Sequence, residues 1–460
     1  MSTGAACSAD DALMTATPFV IQPPAAVLEI VRTLRDAGYE SWCVGGAVRD
    51  ALLGLAHLDW DLATSATPPQ VRRLFARTIP VGIEFGTVGV LDSSGRMHEV
   101  TTFRRDITHD GRHAVVAFGA SLDEDLARRD FTINAIAYDP IERRIRDPFS
   151  GQRDLVLGVV RAVGEPQSRM LEDRLRALRA IRFASRFDFA IDAGTWRAIV
   201  ESGPFLARLS PERVKQEIEK TMEQVRQPSA AFRRWRDAGA FDALIPALGD
   251  VSEPVLDAID CLPVPESAAR PQRRGLRIAA LFSDLTVHDT EMTLRSLRFS
   301  NQDVAWIGAL VGRWHSQGAD LTRRLCSAEG IDDVAVRRLV SGVGRLRCGP
   351  FVRLAAARWS AQRILGDGTD GQTGLAPAPA RIRDLHRRVL RTASIHPLHV
   401  ADLAIDGDDL RLAGVKLGPA IGRVLLALLD DVLDDPTRNR REWLLSRAAT
   451  LIDGHDGVGR

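Results

Sequence analysis

"SWCVGGAVRDALLGLAHLDWDLATSA", residues 41–66, decides how this chain is read. A short apolar run, Ser41 to Val44, meets two adjacent glycines, Gly45 and Gly46, and a helical pattern opens directly behind them. A glycine pair at a strand-to-helix turn lets backbone N–H groups come close to an anion. Arg49 falls on the first turn of that helix, within reach of a phosphate. Further along, Asp59 and Asp61 flank Trp60. Side chains alternate faces along a strand, so the two carboxylates share one face and Leu58, Trp60 and Leu62 take the other. Such a strand is half-buried, and keeping both acids ionised on it is costly without a cation. Aspartate, water and phosphate oxygens are the usual surroundings of Mg2+. Glu99, in "MHEVTTF", offers a third acid on a strand that can lie alongside. Two or three acids around two Mg2+ ions suit an in-line displacement at phosphorus.

The rest of the chain sets the frame. Its 460 residues, 45% hydrophobic and 26% charged, are too many for one core and imply several domains. The formal net charge is +1, yet nearly all the positive charge is arginine, with lysine only at positions 215, 220 and 416. Arginine suits planar, bidentate phosphate contacts, but a GC-rich genome produces the same bias, so charge alone argues neither for nor against a nucleic-acid partner. The five cysteines are scattered with no C-x-x-C pair, which fits a reducing compartment and excludes a disulfide framework or a zinc site. The first twenty residues lack a basic region ahead of an apolar core, and no apolar run reaches the roughly 18 residues of a membrane span. A soluble, cytoplasmic protein is expected; oligomeric state is left open.

The expected fold is α+β: a small mixed-sheet head followed by an elongated all-α neck, body and tail. Residues 1–23 read as a loose tail and 24–160 as the head. A helical neck covers 161–265, a helical body 266–365, a Gly/Pro/Ala linker 366–380 and a helical C-terminal tail 381–460. Within the head, "GTVGVLD" and "RMHEVTTF" read as strands, and "TSATPPQVRRLF" starts a helix with a hydroxyl cap and proline in its first turn. In the neck, "RMLEDRLRALRAIRFASRF" is apolar at helical spacing (Leu171, Leu175, Leu178). "LSPERVKQEIEKTM" opens with Ser210 as cap and Pro211 just inside.

The motifs "GGAVRDALLG", "DWD", "EVTTFRRD", "DGRH", "LDEDLARRDFTINAIAYDP", "RDPFSGQRDL", "EDRLRALRAIRFASRF" and "SPERVKQEIEK" resemble, in order and spacing, the class II CCA-adding tRNA nucleotidyltransferases and the bacterial poly(A) polymerases that share their head. The head signature is that of the polymerase-beta-like nucleotidyltransferase superfamily. The resemblance implies transfer of C, C and A from CTP and ATP to the tRNA 3′ end. It gives Asp59, Asp61 and Glu99 the metal, and Gly45, Gly46 and Arg49 the triphosphate. Arg129, Asp130 and Asn134 match residues that bind the incoming nucleotide. Asp173 and Arg176 match the pair that reads the base; at i and i+3 on one helix they project together. Arg179 and Arg182 continue that basic face. Glu212 and Arg213 match a motif that braces helices and carry no chemistry.

Some positions depart from the family pattern. The loop over residues 104–121 reads "RRDITHDGRHAVVAFGAS", with His109 near a usual tyrosine and Ala114 in place of proline. Enzymes adding only CC shorten this loop much further, so CCA addition is expected, with CC-only, A-only and poly(A) addition as alternatives. A relic head on a non-catalytic tRNA-binding protein is the reading from another class, against which the intact acids argue. Ser150 stands where glycine is commoner. "LRIAALFSDL" has Phe282-Ser283 where some relatives carry a His-Asp metal motif. Arginines in "RPQRRGLR" (270–277) and "RIRDLHRRVLR" (381–391) are candidates for gripping the acceptor stem through phosphates.

Overall fold

The computed structural model describes residues 21–56, 59–109, 114–262, 271–366, 376–412 and 419–456. Two compact units divide the chain, residues 1–249 and 250–460. The first holds a seven-stranded mixed sheet. The strands are β1 (Ser41–Val44), β2 (Asp61–Thr64), β3 (Thr78–Gly82), β4 (Thr87–Leu91), β5 (Met97–Thr102), β8 (Ala137–Asp139) and β9 (Arg144–Arg146), with β6 (Arg104–His109) and β7 (Ala114–Phe118) forming a separate hairpin. Their spatial order in the sheet is β3-β4-β5-β2-β1-β8-β9. β1 runs antiparallel to both β2 and β8, while β2 is parallel to β5. All four β1 residues are buried, as an apolar run covered on both faces requires. β5 instead alternates, with His98 and Val100 buried and Met97 and Glu99 exposed. Trp42, Val44, Ala63, Phe103, Leu126 and Ala137 pack together in the core.

Helices tie this sheet to the rest of the unit. α1 (Ala25–Asp36) precedes β1, α2 (Gly46–Leu52) follows it, and α3 (Pro68–Leu74) opens with a capping box between Thr67 and Gln70. α4 (Leu122–Ala127) opens with a second one, from Ser121 and Glu124. α5 (Gly151–Leu157) docks on the 3-10 turn Thr132–Asn134: the Thr132 hydroxyl donates to Asp154 at 2.7 Å, and the Asp147 carboxylate accepts from the Gly151 and Gln152 amides. Gly151 permits this approach, because a Cβ there would stand 2.2 Å from the Thr132 carbonyl oxygen.

The neck pattern is interrupted where one helix was expected. α6 (Pro166–Glu172) ends at an extended Asp173 (φ −149°), and α7 (Leu175–Phe187) starts after Arg174. Leu171 is 62% exposed while Leu175 and Leu178 are buried, so the leucine spacing spans a break. α8 (Ala193–Ser202) and α9 (Pro211–Gln224) pack beside α7; Ser210 stands at the N-cap of α9 as expected, but its side chain makes no capping bond. A two-residue strand pairing joins Val159–Val160, at the end of the head, to Ala190–Ile191.

The second unit is helical among the described residues, its longest helices being Asn301–Cys326 and Cys348–Gly366. Several arginines expected as candidates for RNA serve this packing. Arg381 donates to the Leu325 carbonyl, Arg388 to Asp333 and the Ile331 carbonyl, and buried Arg277 to the Leu262 carbonyl. At Phe282-Ser283, where a His-Asp motif would lie, Ser283 accepts from the Arg358 guanidinium, which also pairs with the adjacent Asp284. The linker expected over 366–380 falls mostly on residues 367–375, outside the described residues, as do the N-terminal tail up to residue 20 and the "DGRH" segment at 110–113.

Ser150, just ahead of α5, sits in the left-handed region (φ 58°, ψ 35°) with no side-chain capping bond. A Cβ costs energy there and glycine does not. Ser150→Gly is expected to stabilise the protein by about 0.5–1 kcal/mol after the greater freedom of glycine in the unfolded chain is counted, read as a higher midpoint in urea unfolding.

Candidate active site

The turn between β1 and α2 is built by Gly45, at φ 77° and ψ −137°. A Cβ at this position would stand 3.2 Å from Arg129 Nη1 and 3.7 Å from Asp61 Oδ2. Backbone, guanidinium and carboxylate therefore meet at one point. From there a cleft of about 470 Å³ opens, and Gly45, Gly46, Arg49, Asp61, Arg129, Asp130, Asn134, Asp173, Arg176, Arg179 and Arg182 all line it. Segments separated by more than a hundred residues thus converge. Arg128, Phe183, Arg186, Lys220 and Gln224 line it as well; of these, only Arg186, in helical step with Arg182, could have been picked from the sequence.

Two of the expected residues stand apart. Asp59 precedes β2 rather than lying on it, and is exposed beside a buried Trp60; Leu58 lies outside the described residues. From Leu62 to Thr64 every residue of β2 is buried, so the half-buried alternation expected around the two acids is not found, and Asp61 alone is exposed at the start of the strand. Glu99 is exposed on β5, and the pairing of Leu62 with Val100 sets it opposite Asp61 on the neighbouring parallel strand. Among the described residues, no three His, Cys, Asp or Glu side chains gather tightly enough to hold one ion. Exposed hard-oxygen donors on adjacent strands beside an anion-sized cleft nonetheless fit a cation that takes one or two carboxylates and completes its shell with phosphate and water.

The cleft wall is a connected ionic network. Asp50 accepts two bonds from Arg49 (2.8 and 2.6 Å) and one from Arg186 (3.1 Å). Arg49 donates onward to Asn134 Oδ1 at 2.6 Å, and Asn134 Nδ2 donates to Asp130 at 2.9 Å. The other Asp130 oxygen accepts from both Arg179 Nε and Nη2, at 2.9 and 2.7 Å. Burial alone would raise the Asp130 carboxyl; Arg179, the Asn134 bond and Arg176 outweigh it and hold the group at about 2. Burial lowers the affinity of Arg49 and Arg182 for their protons, opposed by Asp50 and Glu217 respectively. Aromatic faces carry part of the charge. The Arg49 guanidinium lies 5.0 Å from the Phe183 ring centre and 4.8 Å from that of Phe187, with Arg182 over the first ring and Arg186 over the second.

At the other end, Asp173 and Arg176 do not share a helix face, because the break between α6 and α7 falls between them. Each is fixed separately. Asp173 accepts from Arg213 at 2.6 Å and from the Leu175 amide. Arg176 Nη1 donates to Glu172 (2.6 Å) and to the Arg169 carbonyl, and Nη2 donates to the Arg128 carbonyl. Arg213 thus braces the neighbouring acid directly. The hairpin of β6 and β7 is seated on the sheet by Arg104, which bonds the Phe85 carbonyl, and by Phe118 packed against Gly86.

This head is that of a nucleotidyltransferase: residues 41–161 match the poly A polymerase head domain, and 188–251 match the family described as a probable RNA and SrmB-binding site of polymerase A. The CCA-adding enzyme of Geobacillus kaustophilus is 33% identical over 449 residues, which is 94% of this chain and 99% of that protein. That of Geobacillus stearothermophilus is 34% identical over 94% and 99% of the two chains. The crystal structure of the Bacillus stearothermophilus CCA-adding enzyme in complex with CTP superposes with a TM-score of 0.75 at 32% identity, covering 94% of this chain and all of that one. The chain belongs to the family of CCA-adding enzymes. Dependence on a divalent metal goes with that family. No helix among the described residues is long and apolar enough to cross a membrane.

The depressed Asp130 carboxyl has a consequence for stability. Its folded value of about 2 lies below the ordinary 3.8, so its contribution is fully present above pH 4 and is lost as pH falls toward 2. Relative to Asp130→Asn, the wild type is expected to lose about 2 kcal/mol of advantage across that range, roughly half of it by pH 3. Urea unfolding of both proteins at pH 7, 4 and 3 measures it.

Proposed function

We propose that this chain adds C, C and A in turn to the 3′ end of tRNA, taking CTP and ATP, releasing pyrophosphate and using no nucleic-acid template. The observation that carries this reading is the single cleft that joins Gly45 and Asp61 to Asp173 and Arg176, in a chain similar over nearly its whole length to CCA-adding enzymes, one of them solved with CTP.

Roles follow from chemistry at each end. Gly45 and Gly46 present backbone N–H groups to the triphosphate, and Arg49, Arg179 and Arg182 offset its charge. Asp59, Asp61 and Glu99 would supply the carboxylates, one or two to an ion, that hold Mg2+ together with substrate phosphates; when bound, it would lower the pKa of the attacking hydroxyl and neutralise the leaving group. Arg129, Asp130 and Asn134 fix the sugar and phosphates, so that catalysis is largely positioning in a preorganised field. Asp173 accepts from the exocyclic amine of cytosine or adenine, and Arg176 donates to the adjoining ring acceptor. Its Nε and one Nη2 hydrogen are not engaged among the described residues. Uracil and guanine carry a carbonyl where that amine would be, which leaves the Asp173 carboxylate facing an acceptor. The retained β6–β7 hairpin supports acceptance of ATP after CTP. The site acts in the cytoplasm, where tRNA and both nucleotides are at hand.

Extension of tRNA ending at its discriminator base, with Mg2+ and CTP, ATP or both, tests this: sequenced ends should read CCA and stop. Ends at CC would assign the loop a CC-only role, and long A runs would make the chain a poly(A) polymerase. Asp61→Ala should lower incorporation about a hundred-fold or more, since metal ligation supplies several kcal/mol. Asp173→Ala should relax rejection of UTP and GTP by about ten- to a hundred-fold, the discrimination carried by one bidentate pair.

A further inference from the structure

We propose that Lys220 is a further substrate-binding residue, its ammonium holding the terminal phosphates of the incoming nucleotide. The inference rests on the CCA-adding function proposed for this cleft and deepens it. Seven arginines line the cleft, and each already has a carboxylate partner: Arg49 and Arg186 on Asp50, Arg128 and Arg129 on Asp125, Arg176 on Glu172, Arg179 on Asp130 and Arg182 on Glu217. Lys220 is the eighth cation of that lining, and its ammonium has no hydrogen bond or ion pair among the described residues. The nearest acids do not discharge it. Glu217, one turn back on α9, is buried and committed to Arg182 at 2.7 Å. Burial lowers the affinity of Lys220 for its proton; Glu217 and Glu223 oppose this, while Arg182 and Arg179 add to it. An ammonium held among like charges in a half-buried cleft gains most from an incoming polyanion.

Its place along the cleft says which part of the substrate it meets. The base end is marked by Asp173 and Arg176 at the start of α7. Arg179, bonded to Asp130, comes one turn on; Arg182 and Arg186 come after that, about 9 and 15 Å from Arg176 at the rise of an α-helix. Arg182 is tied to Glu217 and Gln224 on α9, whose Lys220 and Gln224 are one turn apart and both line the cleft. Base, sugar and phosphates therefore run in the direction of α7 and end beside Lys220. A compact, mobile ammonium suits phosphate oxygens as a point charge, where the anchored guanidinia give fixed geometry.

The test uses the full-length protein with Lys220→Met and Lys220→Arg. KM for CTP on tRNA lacking its end, and for ATP on tRNA ending in CC, should both rise about ten-fold or more in Lys220→Met, the loss expected for one charged hydrogen bond. KM for tRNA and the order of addition should not change, and Lys220→Arg should recover most of the loss. Calorimetric binding of CTP should weaken in Lys220→Met while binding of CMP does not. A raised KM for tRNA alone, an effect on only one nucleotide, or equal weakening of CTP and CMP would each overturn the proposal. So would a fall in unfolding temperature that Lys220→Arg does not rescue. If the wild type extends no tRNA, the CCA-adding function fails, and the CTP-against-CMP comparison still decides the role of Lys220.

Discussion

The molecule depends on keeping many positive charges together in a half-buried cleft. Like charges at these distances repel strongly once water is removed, and the structure answers in two ways. Acids take most of the charge: Asp50 beside Arg49 on α2, and, from other elements, Asp130 against Arg179 and Glu217 on α9 against Arg182. The stacked faces of Phe183 and Phe187, 6.2 Å apart and nearly parallel, take part of the rest, each such contact being worth about 0.5–2 kcal/mol depending on exposure. The same arrangement binds head to neck, because Asp130–Arg179 and Asp50–Arg186 join the two. Order in the cleft and cohesion of the unit are one set of bonds.

Close backbone approach is the second constraint. Gly45 is left-handed where the strand hands over to the helix, and its missing Cβ leaves room for Arg129 and Asp61 to face the same space. Gly151 lets α5 settle on the Thr132 carbonyl, which fixes the 3-10 turn carrying Asn134. Both glycines act on the cleft through the groups they admit rather than by contacting a ligand with a side chain.

Arginine serves two ends in this chain, and composition cannot separate them. In the first unit seven arginines are gathered in the cleft. In the second, Arg337 donates to the last carbonyls of the helix Pro419–Asp434, at Leu433 and Asp434, and Arg345 to the His396 carbonyl and Asp402. Five planar donors reach several carbonyls at once, so a residue type that suggests nucleic acid closes helix ends instead. The pair proposed to read the base shows the same limit. Helical spacing put Asp173 and Arg176 on one face, yet the chain breaks at Asp173, and Arg213 and Glu172 set the two side chains from different directions.

The sequence by itself determined the mixed-sheet head, the glycine turn at the end of β1 and the helical character beyond residue 160, and through its family resemblance it named eleven of the sixteen residues that line the cleft. The elements are properties of local pattern: an apolar run between turns, alternation along β5, hydroxyl and proline at helix starts. What only the tertiary structure decided was which charges remain without a counter-charge. Arg381 and Arg388 look as available as Arg182 in the sequence, and Lys220 looks like one more solvated residue on a charged helix. Three of the cleft's ion pairs join residues tens to more than a hundred positions apart, Arg182 with Glu217, Arg179 with Asp130 and Arg186 with Asp50. A carboxylate that discharges an arginine from another element leaves no local trace, because the Coulomb interaction depends on distance in space and on burial rather than on spacing along the chain.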